Sequence, residues 1–583
     1  MRYFVWCVVL TLSCGAGCNK AEIRDNPLPP AGETTGELFT NKARYNPGEL
    51  VELSFTGSIS ATAKIRYKHL NTVLEEIPLS SANWTWTAPQ ADFKGYLVEL
   101  VDTVNGIEKL IASVAVDVSS SWTRFPRYGF LSKFPQLTDG EMETVIKNLN
   151  RHHINGIQFY DWHYKHHKPL AGTPESPAAS WKDIINRDNF RATIQGYITK
   201  AHACNMNAMF YNLVYGALNN AAVDGVSNTW YMYTNTSRTN IDKFVLPKPP
   251  FISDILFTDP SNVEWQNFLN QENRKVYSVY EFDGYHMDQV GNRDKTLYRY
   301  SGEVINLANT FKPFIESAKQ SAPAKAIVMN AVNQYGQQGI AQAPVDFLYT
   351  EVWHPNESFN ALAQVIKDNN TISDNLKNTV LAAYINYDLA NKAGYFNTPS
   401  VLLADAVIFA FGGSHLELGE HMLGKEYFPN SNLQMKEDLK KALVAYYDFL
   451  VAYQNLLRDG GSFNSIEVKS LDGKTSFKEW PMEKGKVATL GKAFNDKQII
   501  HLLNFKLATT DQWRDKTGIQ ADPGFSEQLQ ISVTTNKSVK KIWFSSPDLN
   551  KGGSETLSFS QVGDQATFTL PGLKYWDMIV MEF

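Results

Sequence analysis

Hydrophobic and polar positions alternate with different periods along the chain, and this divides it into three folded regions. From residue 38 to about 120, short alternating runs such as residues 51–55 and 96–101 are separated by turn signals. The pattern predicts an immunoglobulin-like β-sandwich over residues 38–120. Similar runs return after residue 462, where helix signals disappear. They predict a C-terminal β-sandwich over residues 463–583.

Between residues 121 and 462, runs of strand length alternate with segments of helical periodicity. One predicted helix starts at a capping box formed by Thr138 and Glu141, and Met142, Ile146 and Leu149 follow at helical spacing. A long amphipathic helix is predicted near residues 435–457. The strand candidates are residues 128–131, 156–160, 208–212, 284–288, 326–330, 347–351, 381–385 and 407–411.

Eight βα units in this region predict a multidomain α/β protein with a central (β/α)8 TIM barrel over residues 121–462. The alternative is a doubly wound open sheet. Such a sheet would carry a Gly-rich phosphate turn after its first strand, and the segment after residues 128–131 has none.

The N-terminus has the pattern of a bacterial lipoprotein signal. A single charge at Arg2 precedes a short apolar run, and three small residues then precede Cys18. We therefore predict a signal peptide over residues 1–18 with lipidation at Cys18, Cys14 being the competing site, and an extended tether over residues 19–37. The lipid would be the sole membrane contact, on the outer membrane or cell surface, with the periplasmic face as the other option.

Composition narrows the classes of partner. The formal net charge is -5 and no basic patch stands out, so a nucleic-acid partner is not expected. Only Cys204 lies outside the first 18 residues, which excludes a disulfide framework. We expect neither a cofactor nor a metal.

Acidic residues close two of the predicted barrel strands, where the active sites of such barrels lie. Asp288 ends the fourth strand and Glu351 ends the sixth. A single acid at such a place also suits a helix N-cap or a salt bridge. Two carboxyl groups across one cleft, however, are the apparatus of glycosidic bond cleavage.

Neighbours along the chain suggest which acid does what. Val352 and Trp353 follow Glu351 and would desolvate it, which raises its pKa and suits a proton donor. Asp288 has polar neighbours that include Arg293, so we expect it to be ionised and to act as the nucleophile.

Four blocks of sequence resemble the strand ends of glycoside hydrolase family 66, which comprises bacterial dextranases and cycloisomaltooligosaccharide glucanotransferases. They are YDWHYKHH (160–167), GYHMDQVG (284–291), YTEVW (349–353) and GGSHLELGE (412–420). The resemblance implies the three-domain fold, a nucleophile at Asp288 and a general acid/base at Glu351. The family block reads Gly-Asp-Thr where this chain has Met287-Asp288-Gln289, which keeps the acid but changes its surroundings.

The same blocks and strand ends supply the predicted sugar contacts. His163 and His167 also have the i, i+4 spacing of metal ligands, but nothing nearby completes a metal set. His415, Glu417 and Glu420 have three possible roles: they bind sugar, brace Glu351 or cap the next helix. The predicted substrate-binding residues are Tyr160, Asp161, Trp162, His167, His286, Asn330, Trp353, Asn386, His415 and Glu417.

The resemblance implies an endo-dextranase that cuts internal α-1,6 linkages of dextran to isomaltooligosaccharides with retained configuration. Retention requires the two carboxyl groups to lie about 5–5.5 Å apart. The main alternative is the glucanotransferase, which carries an extra carbohydrate-binding module after the seventh strand. Only 21 residues separate Asn386 from Val407 here, so no such module fits. A non-catalytic glycan-binding lipoprotein and a hydrolase of other α-glucan linkages are the remaining alternatives.

Overall fold

A computed structural model describes residues 36–583 of the protein. The predicted signal peptide, the lipidation site at Cys18 and all but the last two residues of the predicted tether lie outside this range. No helix within residues 36–583 is long and apolar enough to cross a membrane.

The N-terminal region consists of two antiparallel sheets around an apolar core of their own. Buried residues from both sheets, including Leu53, Ile65 and Val98, pack together in this core. The alternation of buried and exposed positions follows from the two-residue period of a strand. The three-stranded sheet contains Leu38–Thr40, Leu50–Phe55 and Asn83–Thr87, and the four-stranded sheet contains Thr72–Pro78, Lys64–His69, Lys94–Val104 and Ile107–Val118.

Eight parallel strands form the central region. The first five make one sheet in sequential order and the last three make another. A bridge between Asn330 and Tyr349 joins the fifth strand to the sixth. The amide of Phe130 in the first strand donates to the carbonyl of Leu418 just after the eighth. The central strands are Tyr128–Leu131, Gly156–Phe159, Asn207–Leu213, Gly284–Asp288, Ala326–Met329, Leu348–Glu351, Thr379–Ala382 and Ser414–His415.

Each central strand is followed by a helix. The helix after the first strand begins at the predicted capping box, in which Thr138 accepts from the Glu141 amide while the Glu141 side chain accepts from the Thr138 amide. Met142, Ile146 and Leu149 are its buried face, as predicted. The helices are Asp139–Arg151, Arg191–Ala203, Val263–Val279, Phe311–Ser321, Gln337–Gln342, Phe359–Ile372, Thr398–Ala410, Glu437–Ala452 and Gln454–Leu457.

The prediction of an eighth strand at residues 407–411 is wrong. Residues 407–410 end the helix Thr398–Ala410, Phe411 is its C-cap, and the eighth strand is Ser414–His415. The helix is buried on nearly all sides, so its sequence is apolar all round and shows no helical period. Asn397 caps its first turn, and this N-cap was the overlooked helix signal.

Long connections follow the carboxyl ends of the central strands, on the side where barrel enzymes build their sites. The connections after the second, third and fourth strands carry most of the short strands. These short strands are Ser180–Lys182, Asp188–Phe190, Gly216–Leu218, Lys243–Phe244, Ile255–Phe257, Leu297–Tyr298, Val304–Ile305, Gly394–Tyr395 and Leu433–Gln434.

The C-terminal region again has two sheets with a shared apolar core, to which Ile500 and Ile531 contribute from opposite sheets. The seven-stranded sheet contains Ser462–Asn464, Phe477–Glu479, Val487–Phe494, Lys497–Asn504, Lys541–Ser545, Glu555–Leu557 and Trp576–Glu582. The four-stranded sheet contains Val468–Ser470, Ser526–Thr534, Phe559–Val562 and Gln565–Leu573.

A buried ion pair joins the N-terminal region to the central strands. Asp117, in the last N-terminal strand, and Arg127, next to the first central strand, have side chains with no exposed surface, and 2.7 Å separates Oδ2 from Nη2. Arg127 Nε donates to the carbonyl of His153, and Gln454 donates to Asp117. The pair therefore ties three parts of the chain together.

Replacing Arg127 with Met should destabilise this junction. The change leaves Asp117 buried without its cation, a situation that typically costs about 3–5 kcal/mol. We expect the protein to begin unfolding at a clearly lower urea concentration, as measured by circular dichroism. The control is Lys147→Met, which removes an exposed pair with Glu143 and should leave the transition within error. Equal transitions for Arg127→Met and the wild type would contradict this account.

Candidate active site

Asp288 and Glu351 enter one cleft from the ends of two strands. They are the last residues of the fourth and sixth central strands, and the fifth strand lies between them. Asn330 directly follows that fifth strand, and its backbone pairs with Tyr349 of the sixth. Because parallel strands end on the same face, the three side chains are brought together.

The Asn330 side chain bridges the two acids. Its amide nitrogen lies 2.9 Å from Asp288 Oδ1 and 3.1 Å from Glu351 Oε2. One nitrogen makes both contacts, so these two oxygens cannot be more than about 6.0 Å apart. The amide oxygen of Asn330 accepts from the Glu351 backbone at 3.2 Å, which fixes the direction of the amide. Retaining glycosidases hold their carboxyl groups about 5–5.5 Å apart and inverting ones at least about 6.5 Å, so the bridge fits retention.

Asp288 lies in a poorly hydrated place with hydrogen-bond donors around it. Burial raises its pKa, while the Tyr211 hydroxyl, the Asn330 amide and the Gln289 backbone amide oppose the rise by donating to the carboxylate. Tyr211 Oη is 2.6 Å from Oδ2. The expected help from Arg293 is wrong, because Arg293 pairs with Asp242 at 2.9 Å. Neutral donors therefore favour the ionised form of Asp288.

Glu351 has the pKa of a proton donor. Burial raises its pKa to about 7, and the negative charge of Asp288 adds to the effect. The Tyr384 hydroxyl donates to Oε1 at 2.7 Å and partly opposes the rise. Near neutral pH a large share of Glu351 is therefore protonated, the form that a general acid requires, while the donors around Asp288 favour its carboxylate form.

Partly exposed side chains line the cleft around the two acids. Tyr160 stacks on Phe428 with ring centroids 4.3 Å apart. Asp161 has a φ of 48°, an unusual left-handed backbone for a non-glycine residue. Burial raises the pKa of Asp161 to about 7 against the opposing charge of Arg187. The ring of Trp353 lies 5.4 Å from that of Tyr384, which contacts Glu351. The structure therefore keeps Tyr160, Asp161 and Trp353 at the cleft, where sugar contacts were predicted.

The family model for glycosyl hydrolase family 66 matches residues 40–580, nearly the whole described range. The chain belongs to glycoside hydrolase family 66. Family 66 enzymes are glycosidases, and the paired acids of the cleft agree with that class of chemistry.

The chain is similar to two relatives and to one solved structure. A cycloisomaltooligosaccharide glucanotransferase of Niallia circulans is 28% identical, covering 99% of this chain and 75% of the relative. A dextranase of Streptococcus salivarius is 23% identical, covering 84% and 67%. The crystal structure of a Paenibacillus sp. cycloisomaltooligosaccharide glucanotransferase with cycloisomaltoheptaose has a TM-score of 0.84 at 24% identity, covering 94% of this chain and all of the other. That likeness shows a shared fold.

Three of the sugar contacts predicted for this family 66 protein are buried instead. Trp162, His167 and Asn386 have no exposed surface. Trp162 donates to the carbonyl of Tyr211, and His167 pairs with Asp224. The prediction that these three touch sugar is corrected to a structural role, because no part of their side chains reaches the cleft.

His286 also lies below the cleft floor. It is 2% exposed and sits between the rings of Tyr128 and Tyr211. Burial lowers its pKa to about 3, so the ring is neutral. The predicted sugar contact at His286 is therefore replaced by support for Tyr211, which contacts Asp288.

His415 and Glu417 form a buried cluster with Asp405. None of the three is more than 1% exposed, so the predicted sugar contacts at His415 and Glu417 are also corrected. His415 Nε2 is 2.8 Å from the carbonyl of Ala383, and Nδ1 is 2.8 Å from Asp405 Oδ1. Burial opposes protonation, but the two carboxyl groups raise the pKa of His415 to about 10.

This cluster is the set of residues within 36–583 whose ligand atoms lie close enough for a metal ion. With one ring nitrogen facing a carbonyl and the other facing carboxylates, His415 is satisfied as an imidazolium without any ion. His415 contacts Ala383, the residue before Tyr384, and Tyr384 donates to Glu351. Of the three predicted roles, the geometry therefore favours the one in which the cluster supports Glu351. Glu420 instead accepts from the Ser132 amide and hydroxyl.

Tyr211 and Tyr384 are residues of the site that the sequence interpretation missed. Each contacts one of the acids directly. Both lie in predicted strands, near the carboxyl end. Their hydroxyls can donate to a carboxylate, but a tyrosine inside an apolar strand looks like any other core residue in the sequence.

Replacing Tyr384 with Phe should move the basic limb of the pH profile upward. The change removes a donor that stabilises ionised Glu351, so its pKa rises and the acid stays protonated to higher pH. Tyr211→Phe is the matched variant: it removes a donor to Asp288, raises that pKa and should move the acidic limb upward instead. The measurement is kcat/KM for glycoside cleavage between pH 4 and 9. Identical profiles for the two variants would contradict the assigned contacts.

Proposed function

We propose that this protein is an endo-dextranase that hydrolyses internal α-1,6 linkages with retention of configuration. The observation that carries the proposal is the Asn330 bridge, which holds the two acids at a separation suited to double displacement. Dextranases and cycloisomaltooligosaccharide glucanotransferases are the relatives it resembles, and the names of both point to α-1,6-glucans.

In the proposed mechanism Asp288 attacks the anomeric carbon while Glu351 protonates the departing 6-oxygen. The bond from the anomeric carbon to that oxygen breaks as the bond to Asp288 Oδ forms. Glu351, now ionised, then takes a proton from water, and the water oxygen displaces Asp288 from the opposite face. The acid separation and the raised pKa of Glu351 support this division of roles.

Hydrolysis rather than ring formation is favoured by a short connection. The seventh strand ends at Ala382 and the next helix begins at Thr398, with only short elements between them. This leaves no room for the carbohydrate-binding module of the glucanotransferases. The alignment with the Niallia relative spans 744 residues against 583 in the chain, so that relative has segments absent here.

The glucanotransferase is the second candidate, since that relative shares 28% identity against 23% for the dextranase. Both enzymes would use the same acids. They differ in whether water or a sugar hydroxyl of the same chain receives the glycosyl group.

We also propose a (β/α)8 barrel between two β-sandwiches as the frame of this function. The eight sequential parallel strands, each followed by a helix, and the contacts that join the two central sheets support it. The sequence of the N-terminus supports a further proposal: the enzyme is exported and anchored through a lipid at Cys18, facing polysaccharide outside the cell.

Asp288→Asn and Glu351→Gln should abolish the shortening of high-molecular-weight dextran. We expect linear isomaltooligosaccharides from the wild type and a loss of about 10²–10⁴-fold or more in kcat for each variant. Size-exclusion chromatography and reducing-end assays provide the measurement. Both variants should still bind dextran, because the cleft walls remain. A wild type that binds dextran without ever shortening it would favour a non-catalytic binder.

Product analysis separates the two candidate enzymes. With dextran as substrate, we expect mass spectra dominated by linear products, which carry one water more than the rings of the same size. The Asp288→Asn protein is the blank. Predominance of cyclic products from early time points would overturn the proposed hydrolysis and establish the glucanotransferase.

A further inference from the structure

A loop of the C-terminal region reaches the catalytic side of the central strands. Residues 505–525 connect Lys497–Asn504 with Ser526–Thr534, and these two strands belong to different C-terminal sheets. Within the loop, Gln512 bridges to Ser358, and Trp513 Nε1 donates to the carbonyl of Asn356 at 2.7 Å. The loop therefore lies against the segment that follows Glu351.

Arg514, in this loop, is buried against aromatic rings. Its side chain is 2% exposed. The guanidinium carbon lies 4.7 Å from the ring centroid of Trp353, 5.5 Å from that of Tyr387 and 4.9 Å from that of Trp513. One Nη also donates to the carbonyl of Val352. A planar guanidinium stacks on rings and donates in fixed directions, whereas Lys does neither.

The loop is fastened beyond the seventh strand as well. The Asn386 backbone donates to the carbonyl of Arg514 at 2.8 Å, and the Asn386 side chain donates to the carbonyl of Asp515 at 2.8 Å. Arg514 thus links the segment after the sixth strand, which carries Trp353, to the segment after the seventh, which carries Tyr387.

These two rings form a wall next to the general acid. Trp353 and Tyr387 are edge to face with centroids 5.9 Å apart, and Trp353 is 5.4 Å from Tyr384. Tyr384 in turn donates to Glu351. A general acid protonates the leaving oxygen, so a wall beside Glu351 borders the place of the leaving sugar.

We propose that Arg514 is a positioning residue, supplied by the C-terminal region, that holds the Trp353–Tyr387 wall for the sugar ring on the leaving-group side of Glu351. The proposal rests on the proposed function. It gives the C-terminal region a part in the reaction, because this region fixes the two rings of the wall. In hydrolysis these rings would orient the leaving glucan chain, and in transfer they would orient the acceptor sugar.

The test compares two substrates that differ in their leaving group. Dextran has a leaving sugar that would lie against the wall, whereas the fluoride of α-isomaltosyl fluoride makes no such contact. In Arg514→Met we expect kcat/KM for dextran to fall about tenfold or more, as for a misplaced positioning group, and kcat/KM for the fluoride to change less than about threefold. Lys516→Met is the control on the same loop, since the Lys516 side chain is exposed, contacts no ring of the wall and pairs within residues 36–583 with Glu357, which also lies 3.4 Å from Arg514 Nε. It should behave as the wild type.

A double-mutant cycle tests whether Arg514 acts through the wall. In a Trp353→Ala background, Arg514→Met should lower kcat/KM for dextran by a clearly smaller factor than it does in the wild-type background, because the effects of substituting coupled residues are not additive. If Arg514→Met does not fold, Arg514→Lys should show the same selective loss, since it keeps the charge but loses the stacking.

Equal losses on both substrates would show a general structural role and overturn the proposal, as would full activity on dextran or additive effects in the cycle. A wild type that cleaves the fluoride but not dextran would contradict the dextranase instead. The Arg514 comparison then uses transfer from isomaltosyl fluoride to added isomaltose, with fluoride hydrolysis as the reference. Selective loss of transfer supports the wall, and equal loss overturns it.

Discussion

The close approach of two carboxyl groups at a poorly hydrated cleft floor is the constraint on which the rest of this structure depends. Two like charges within about 6.0 Å do not ionise independently when little water screens them. One acid is therefore pushed toward its neutral form. The neighbours favour the ionised form of Asp288, since Tyr211 and the Gln289 amide donate to it, whereas burial and the charge of Asp288 raise the pKa of Glu351 to about 7. A single arrangement thus supplies both a nucleophile and a proton donor.

The residues packed around Asp288 and Glu351 keep the two carboxyl groups close together despite the repulsion between their charges. Asn330 donates to both acids and fixes its own amide through the Glu351 backbone. Below the floor, His286 supports Tyr211, and the His415 cluster holds the strand end that carries Tyr384. Farther out, the Asp117–Arg127 pair and the loop around Arg514 fasten the flanking regions to opposite parts of the central strands. The contacts that surround the two carboxyl groups therefore come from residues far apart in sequence.

The sequence was enough to predict that Asp288 and Glu351 lie close together, because strand direction alone brings those strand ends to one face. Position beside a strand end was not enough to predict sugar contacts at Trp162, His167 and Asn386, which are buried. A strand-end position does not tell whether a side chain points into the cleft or into the packing around it. The helix at residues 398–410 was mistaken in part for a strand because complete burial removes the helical period from the sequence. Arg514 has no local signal in the sequence, since the carbonyl of Val352 that it contacts lies 162 residues earlier in the chain.

The central claim is that Asp288 forms a covalent bond to the sugar. The most direct measurement is mass spectrometry of peptides from protein treated with a fluorinated α-isomaltosyl fluoride that forms the glycosyl-enzyme but hydrolyses slowly. The account predicts the added glycosyl mass on the peptide that contains Asp288, and its absence in Asp288→Asn. A label on another residue, or turnover that gives a product of inverted configuration with no label, would contradict it.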